Sequence, residues 1–171
     1  LFIVGVSMTL SFASRASRGM SRGALAIHIV RRSALIFAIG LFLNGFPHFH
    51  FDSIRIMGVL QRIAVCYLAA GLLYLLFSRR KGGADGNARA RSSAAAIAGI
   101  AAILLVGYWA VLKFVPVPGY GAGHLGKDDN LGAYIDRTLL GGHLWSQSVT
   151  WDPEGILSTF PAIASLLIGI L

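Results

Sequence analysis

Three short stretches hold the residues best placed to do chemistry. In the first, Arg62 lies six residues into a block that then runs apolar to Phe77. A guanidinium at such a place costs about 2.5 to 3.5 kcal/mol on insertion scales, so it is expected to face the interior of a helix bundle. Arg55 stands seven residues earlier. On a helix that begins by Ser53, the two guanidinium groups would share one stripe roughly 10 Å apart, with Gln61 about a quarter-turn aside. That spacing suits an elongated anionic ligand. The same arginines could instead bond carbonyls at broken helix ends.

The second stretch, GAYIDRTLLGGH at residues 132–143, reads as a short amphipathic helix ended by the Gly141–Gly142 pair. Asp136 and Arg137 would point to different sides of it, either toward a ligand or toward loop neighbours that fix a cap. His143 follows the glycines, where an imidazole can serve as acid or base or simply as a hydrogen-bonded structural group. In the third stretch, Asp152 and Glu154 stand just before the last apolar block. Carboxylates there are expected either to cap a helix N-terminus, which the helix dipole favours, or to contact substrate.

Two weaker patterns carry no assignment. HFHFD at residues 48–52 would align two histidines and an acid on an extended strand, but a metal needs further ligands, and none is assigned. The glycines of GYGAGHLG at residues 119–126 follow no strand and open no helix, which removes a nucleotide-loop reading.

The elements that must position these groups are membrane spans. The chain has 171 residues, 56% of them hydrophobic and 13% charged, with a mean hydropathy of +0.70. The apolar residues gather in blocks near 1–13, 24–46, 56–77, 94–115 and 156–171, which predicts an all-α polytopic transmembrane bundle of about five spans or part-spans in one membrane domain. The first and last blocks look cut. The net charge of +8 does not form a groove-lining patch, because the arginines punctuate the apolar blocks, so nucleic acid is not expected as a partner. The single Cys66 excludes a disulfide within the chain.

Charge also predicts topology. Connections 14–32 and 78–93 hold ten of the fifteen basic residues and one acid, which places both in the cytoplasm by the positive-inside rule. The connections around residues 47–55 and 116–155 hold six of the seven acids and four of the five histidines, and are expected on the outer face. The stretch 78–93 reads as a flexible linker with nothing to bury. The outer loop 116–155 is aromatic enough to fold as a cap, with a helix near 131–140.

Several strings together resemble the heparan-alpha-glucosaminide N-acetyltransferase family. They are IRIMGVLQRIAVCYL (54–68), GAYIDRTLLGGH (132–143) and WDPEGILSTFPAIASLLIG (151–169), with an opening LFIVGVSMTLSFASR that is similar to the stretch after that family's first spans. The resemblance implies a multi-pass acyltransferase that moves an acetyl group from cytosolic acetyl-CoA to an amino sugar across the membrane. It implies that the family's catalytic histidine lies upstream of Leu1, so the catalytic residue is not assigned here and this stretch alone is expected to be inactive. Arg55, Gln61, Arg62, Asp136, Arg137, His143, Asp152 and Glu154 become the expected substrate-binding set, with the arginines suited to CoA phosphates or an oxyanion and the acids to sugar hydroxyls or a protonated amine. The segment 116–130 is shorter than in animal members, so a bacterial cell-wall amino sugar in the inner membrane is as good an acceptor as heparan. The expected partners are the lipid bilayer and the acceptor sugar, with homo-oligomer formation left open. Two further readings stand beside this one: a secondary transporter of an amino sugar, against which the lack of a visible repeat counts, and a non-catalytic membrane subunit.

Overall fold

The computed structural model describes residues 1–77, 86–148 and 150–171. Six helices follow in order: α1 (Phe2–Ser17), α2 (Arg22–Gly45), α3 (Val59–Phe77), α4 (Gly86–Phe114), α5 (Leu131–Leu140) and α6 (Thr159–Ile170). Among the described residues there is no strand beyond an isolated bridge between Val117 and Gly121. Arg22–Gly45, Val59–Phe77 and Ala90–Phe114 are long and apolar enough to cross a membrane.

Local chemistry sets the helix ends. α1 stops in a Schellman turn: Gly19 sits at φ +81°, and the N–H groups of Gly19 and Met20 donate to the carbonyls of Ala16 and Arg15. The Ser21 hydroxyl then accepts the Ala24 N–H at 3.2 Å and starts α2 almost at once. Asn130 does the same for α5, accepting from the Ala133 N–H at 2.9 Å, and α5 ends at Gly141 and Gly142, the latter at φ +84°.

Although only twelve residues long, α6 sits at the centre, packed against α1, α3 and α4, while α2 lies along α3. It buries Ala162, Ala164, Leu166, Leu167 and Gly169 and leaves Phe160 and Ile168 on its outer side. Phe12 of α1, Ile29 of α2, and Cys66 and Tyr67 of α3 complete that core. The α1–α6 crossing is close enough that a Cβ added at Gly5 would fall on the Leu166 carbonyl oxygen, and one at Gly169 on that of Phe2. Small residues allow such an approach where no hydrophobic force drives helices together. Large apolar side chains on the outer sides of α2 and α4, such as Ile27, Leu35, Ile103 and Val106, remain exposed and suit lipid.

Four boundaries differ from expectation. α3 begins at Val59, not 56, because residues 54–58 form an irregular segment tied to the loop after α5. α6 begins at Thr159, not 156, because residues 152–158 turn around a buried carboxylate. α1 continues to Ser17, past the expected 13. α4 reaches back to Gly86, inside the expected linker, since its Ala- and Arg-rich start favours helix. Residues 78–85 of that linker lie outside the described residues.

Candidate functional site

The irregular segment 54–58 brings Arg55 to the turn that precedes α6. Its Nε donates to Asp152 Oδ2 at 2.9 Å and its Nη2 to Asp152 Oδ1 at 2.5 Å, a bidentate fork; Nη2 also reaches Glu154 Oε2. The guanidinium carbon lies 5.8 Å from the centre of the Trp145 ring. Burial disfavours the Arg55 charge, but hydrogen bonds and charge from Asp152, then Glu154, outweigh it and hold the pKa above the ordinary arginine value. Asp152 is buried and saturated, since it also accepts the N–H groups of Trp145 at 3.1 Å and Glu154 at 2.9 Å.

Arg62 lies on α3 and faces the bundle interior, as its position requires. One Nη2 donates to the Pro153 carbonyl at 3.0 Å and to the Ser158 hydroxyl, while Nε is buried without a partner. Arg55 and Arg62 therefore do not share a helical stripe, because α3 starts four residues after Arg55. They converge instead on one turn, residues 152–158, from two directions. Gln61 turns the other way, is fully buried, and packs where Gly40 of α2 and Gly58 leave room.

Asp136, on the buried face of α5, anchors that same turn from the third side. Oδ1 accepts the Ile156 N–H at 2.9 Å and Oδ2 faces the Asp152 N–H at 3.4 Å. A Cβ at Gly155 would fall on this carboxylate, so only glycine lets the turn close on it. Burial pushes the Asp136 carboxyl upward; the two N–H groups pull it down, and the charge of Asp152 adds to the rise.

Other expected site residues hold the cap together. Arg137 donates from Nη1 to the carbonyls of Asp128 at 2.7 Å and Thr150 at 3.0 Å. His143 Nδ1 lies 2.8 Å from the Ile54 carbonyl oxygen, which fixes its proton on that nitrogen, and the His143 carbonyl accepts the Ile56 N–H at 3.3 Å. His143 thereby splints the segment that carries Arg55. Asp152 and Glu154 do not cap α6: its N-cap is Ser158, and no acid lies in its first turn. The run HFHFD is a turn rather than a strand, with Phe49 at φ +46° and the rings of His48 and His50 stacked 6.0 Å apart. Among the described residues, no group of three His, Cys, Asp or Glu side chains gathers to hold a metal.

An open cavity of about 240 Å³ adjoins the clasp. Its lining includes Tyr108 of α4, Lys127, Asn130, Asp136, Trp151 and Ser158. Tyr108, Lys127 and Trp151 were not among the expected site residues. Their only signal was aromatic and polar composition near a helix end, because the cavity forms from segments about twenty to forty residues apart.

The chain is 32% identical over 203 residues to a human heparan-alpha-glucosaminide N-acetyltransferase and 31% identical over 206 residues to the mouse protein of that name. Each alignment covers 99% of this chain, which spans 30% of the length of the human protein and 31% of the mouse protein. No family model matches the chain.

Proposed function

Because this chain belongs to the heparan-alpha-glucosaminide N-acetyltransferase family, we propose that it forms the acceptor side of a membrane acetyltransferase, which passes an acetyl group from cytosolic acetyl-CoA to an amino sugar on the outer face. The observation that carries this reading is the outer cavity, with aromatic walls at Tyr108 and Trp151 and polar groups at Lys127, Asn130, Asp136 and Ser158. A sugar presents an apolar C–H face that stacks on an aromatic ring, and hydroxyls that need precisely this mixture of donors and acceptors.

In this reading, Arg55, Asp152 and Glu154 act as a frame that holds the turn 152–158 against the cavity. Arg62 fixes the same turn from the membrane side through Pro153 and Ser158. Asp136 does so from α5, which leaves the cavity's carboxylates oriented before any sugar arrives. Preorganised groups of this kind lower the cost of binding, since little side-chain freedom is left to lose. An amine must lose its proton before it attacks a thioester carbonyl. In this reading the chain supplies the acceptor's seat, and the proton acceptor is the histidine that the family resemblance puts upstream of Leu1.

The test is transfer across a sealed membrane. The full-length protein carrying these residues is reconstituted in vesicles, with radiolabelled acetyl-CoA outside and glucosamine inside. Labelled N-acetylglucosamine inside is the expected result. Glucosamine that leaves unmodified would point to transport, and no movement of either label would leave a scaffold. Trp151→Ala is expected to raise KM for the sugar about tenfold with kcat little changed, since it removes stacking made equally in ground and transition states.

A further inference from the structure

The inner end of the bundle holds a second cavity, of about 470 Å³, between the end of α1 and the start of α2. Its lining is Ser11, Ser14, Arg15, Arg18, Gly19, Met20, Ser21 and Ala24, two guanidinium groups and three hydroxyls around an open space. Nothing nearby in sequence offsets that charge: the first 51 residues contain five arginines and no acid. Among the described residues, neither Arg15 nor Arg18 pairs with a carboxylate. The one side-chain bond of Arg15 is a long one, from Nε to the Ser11 hydroxyl at 3.4 Å. The Schellman turn at Gly19 folds α1 back so tightly that the N-terminus of α2, with its positive dipole end, opens beside these side chains.

We propose that this cavity is a binding site for a phosphate-bearing anion. Two guanidinium forks with hydroxyl donors and a helix N-terminus form a donor set with no acceptor charge of its own, which phosphate oxygens match and a carboxylic acid fills only in part. The contrast with the outer face is informative. There Arg55 is paired with Asp152 and Glu154, and Arg62 is tied through Nη2 to Pro153 and Ser158; at the inner end the arginines have no carboxylate beside them among the described residues. Two sources present this chemistry at that face: the phosphates of a soluble acyl donor such as CoA, and the headgroup of an anionic phospholipid. The site does not depend on the acetyl-transfer reading, because phosphate binding is measured without turnover.

The full-length protein in a neutral, phosphate-free detergent is titrated with inorganic pyrophosphate by calorimetry. Wild type is expected to bind. Arg18→Glu, at an exposed position, is expected to weaken binding at least about tenfold, and Arg15→Gln by a similar factor. Competition of pyrophosphate by CoA but not by phosphate-free pantetheine identifies the soluble donor as the source. Loss of pyrophosphate binding in vesicles of phosphatidylcholine with phosphatidylglycerol, relative to phosphatidylcholine alone and without competition by CoA, identifies the headgroup. Failure of wild type to bind pyrophosphate overturns the proposal, and so does unchanged affinity in Arg18→Glu, whatever Arg15→Gln does to folding.

Discussion

The fork between Arg55 and Asp152 uses two parallel N–H donors of a planar group, a geometry that a lysine cannot reproduce. Asp152→Asn removes a charge from a buried pair and leaves Arg55 facing Glu154 alone. The expected loss is about 3 to 5 kcal/mol, as when one member of a buried ion pair is deleted. Glu154→Gln leaves the fork intact and should cost about 1 kcal/mol. Thermal unfolding of the detergent-solubilised protein ranks the two, and an equal effect would mean that the fork is not the principal contact. Asp136 adds a pH signature. Its folded-state pKa lies above the ordinary value of 3.8, so the folded protein binds that proton more tightly than the unfolded chain. The related stability is fully present below 3.8 and is lost as pH rises through the folded value. Asp136→Asn should flatten the fall in unfolding free energy over that window; equal slopes would contradict the upward shift. At this scale the sequence singled out polar residues at the helix ends but not the partners they meet. Arg62's cost in lipid was legible from its position alone. Its partner was not, because Ser158 lies nearly a hundred residues away and nothing local to Arg62 points there.

Among the elements, α5 shows what local pattern can settle. The run 131–140 has an Asn cap before it, two glycines after it and one buried polar position, Asp136, and it folds over those same residues. The beginnings of α3 and α6 were set instead by long-range ties. The Ile56 N–H is held by the His143 carbonyl and the Ile156 N–H by the Asp136 carboxylate, ties from far along the chain that fix the backbone just before each helix. Gly155→Ala is the sharpest probe of this arrangement. The added methyl must displace the Asp136 carboxylate, an overpacking expected to cost about 1 to 3 kcal/mol. Gly99→Ala, where a Cβ meets nothing within 4 Å, should be tolerated or slightly stabilising. The readout is the midpoint of thermal unfolding for each variant.

For the whole molecule, the segregation of charge predicts that the α1–α2 turn and the outer cap lie on opposite sides of the bilayer. Cys66 is buried; with any thiols outside this chain replaced, single cysteines at Ser17 and Ala122 can be labelled in sealed, right-side-out vesicles by an impermeant maleimide. Ala122→Cys should react from outside and Ser17→Cys only after permeabilisation; reaction of both from outside would reverse the orientation drawn from the arginines. The bundle's central helix was the least legible feature. A twelve-residue, mostly apolar helix does not announce that three neighbours will pack on it, because its burial is a property of the neighbours rather than of the helix.

The glycine contact between α1 and α6 also sets an order of events. Gly5 and Gly169 are separated by nearly the full length of the chain, which at about 5 to 20 residues per second means roughly 10 to 30 s of synthesis. During that interval the glycine face of α1 lacks its partner helix, and the α1–α6 contact closes only once α6 has been made. A ribosome stalled before residue 159 should leave α1 open to cross-linking by lipid-soluble probes at Gly5, and one stalled well beyond residue 171 should not.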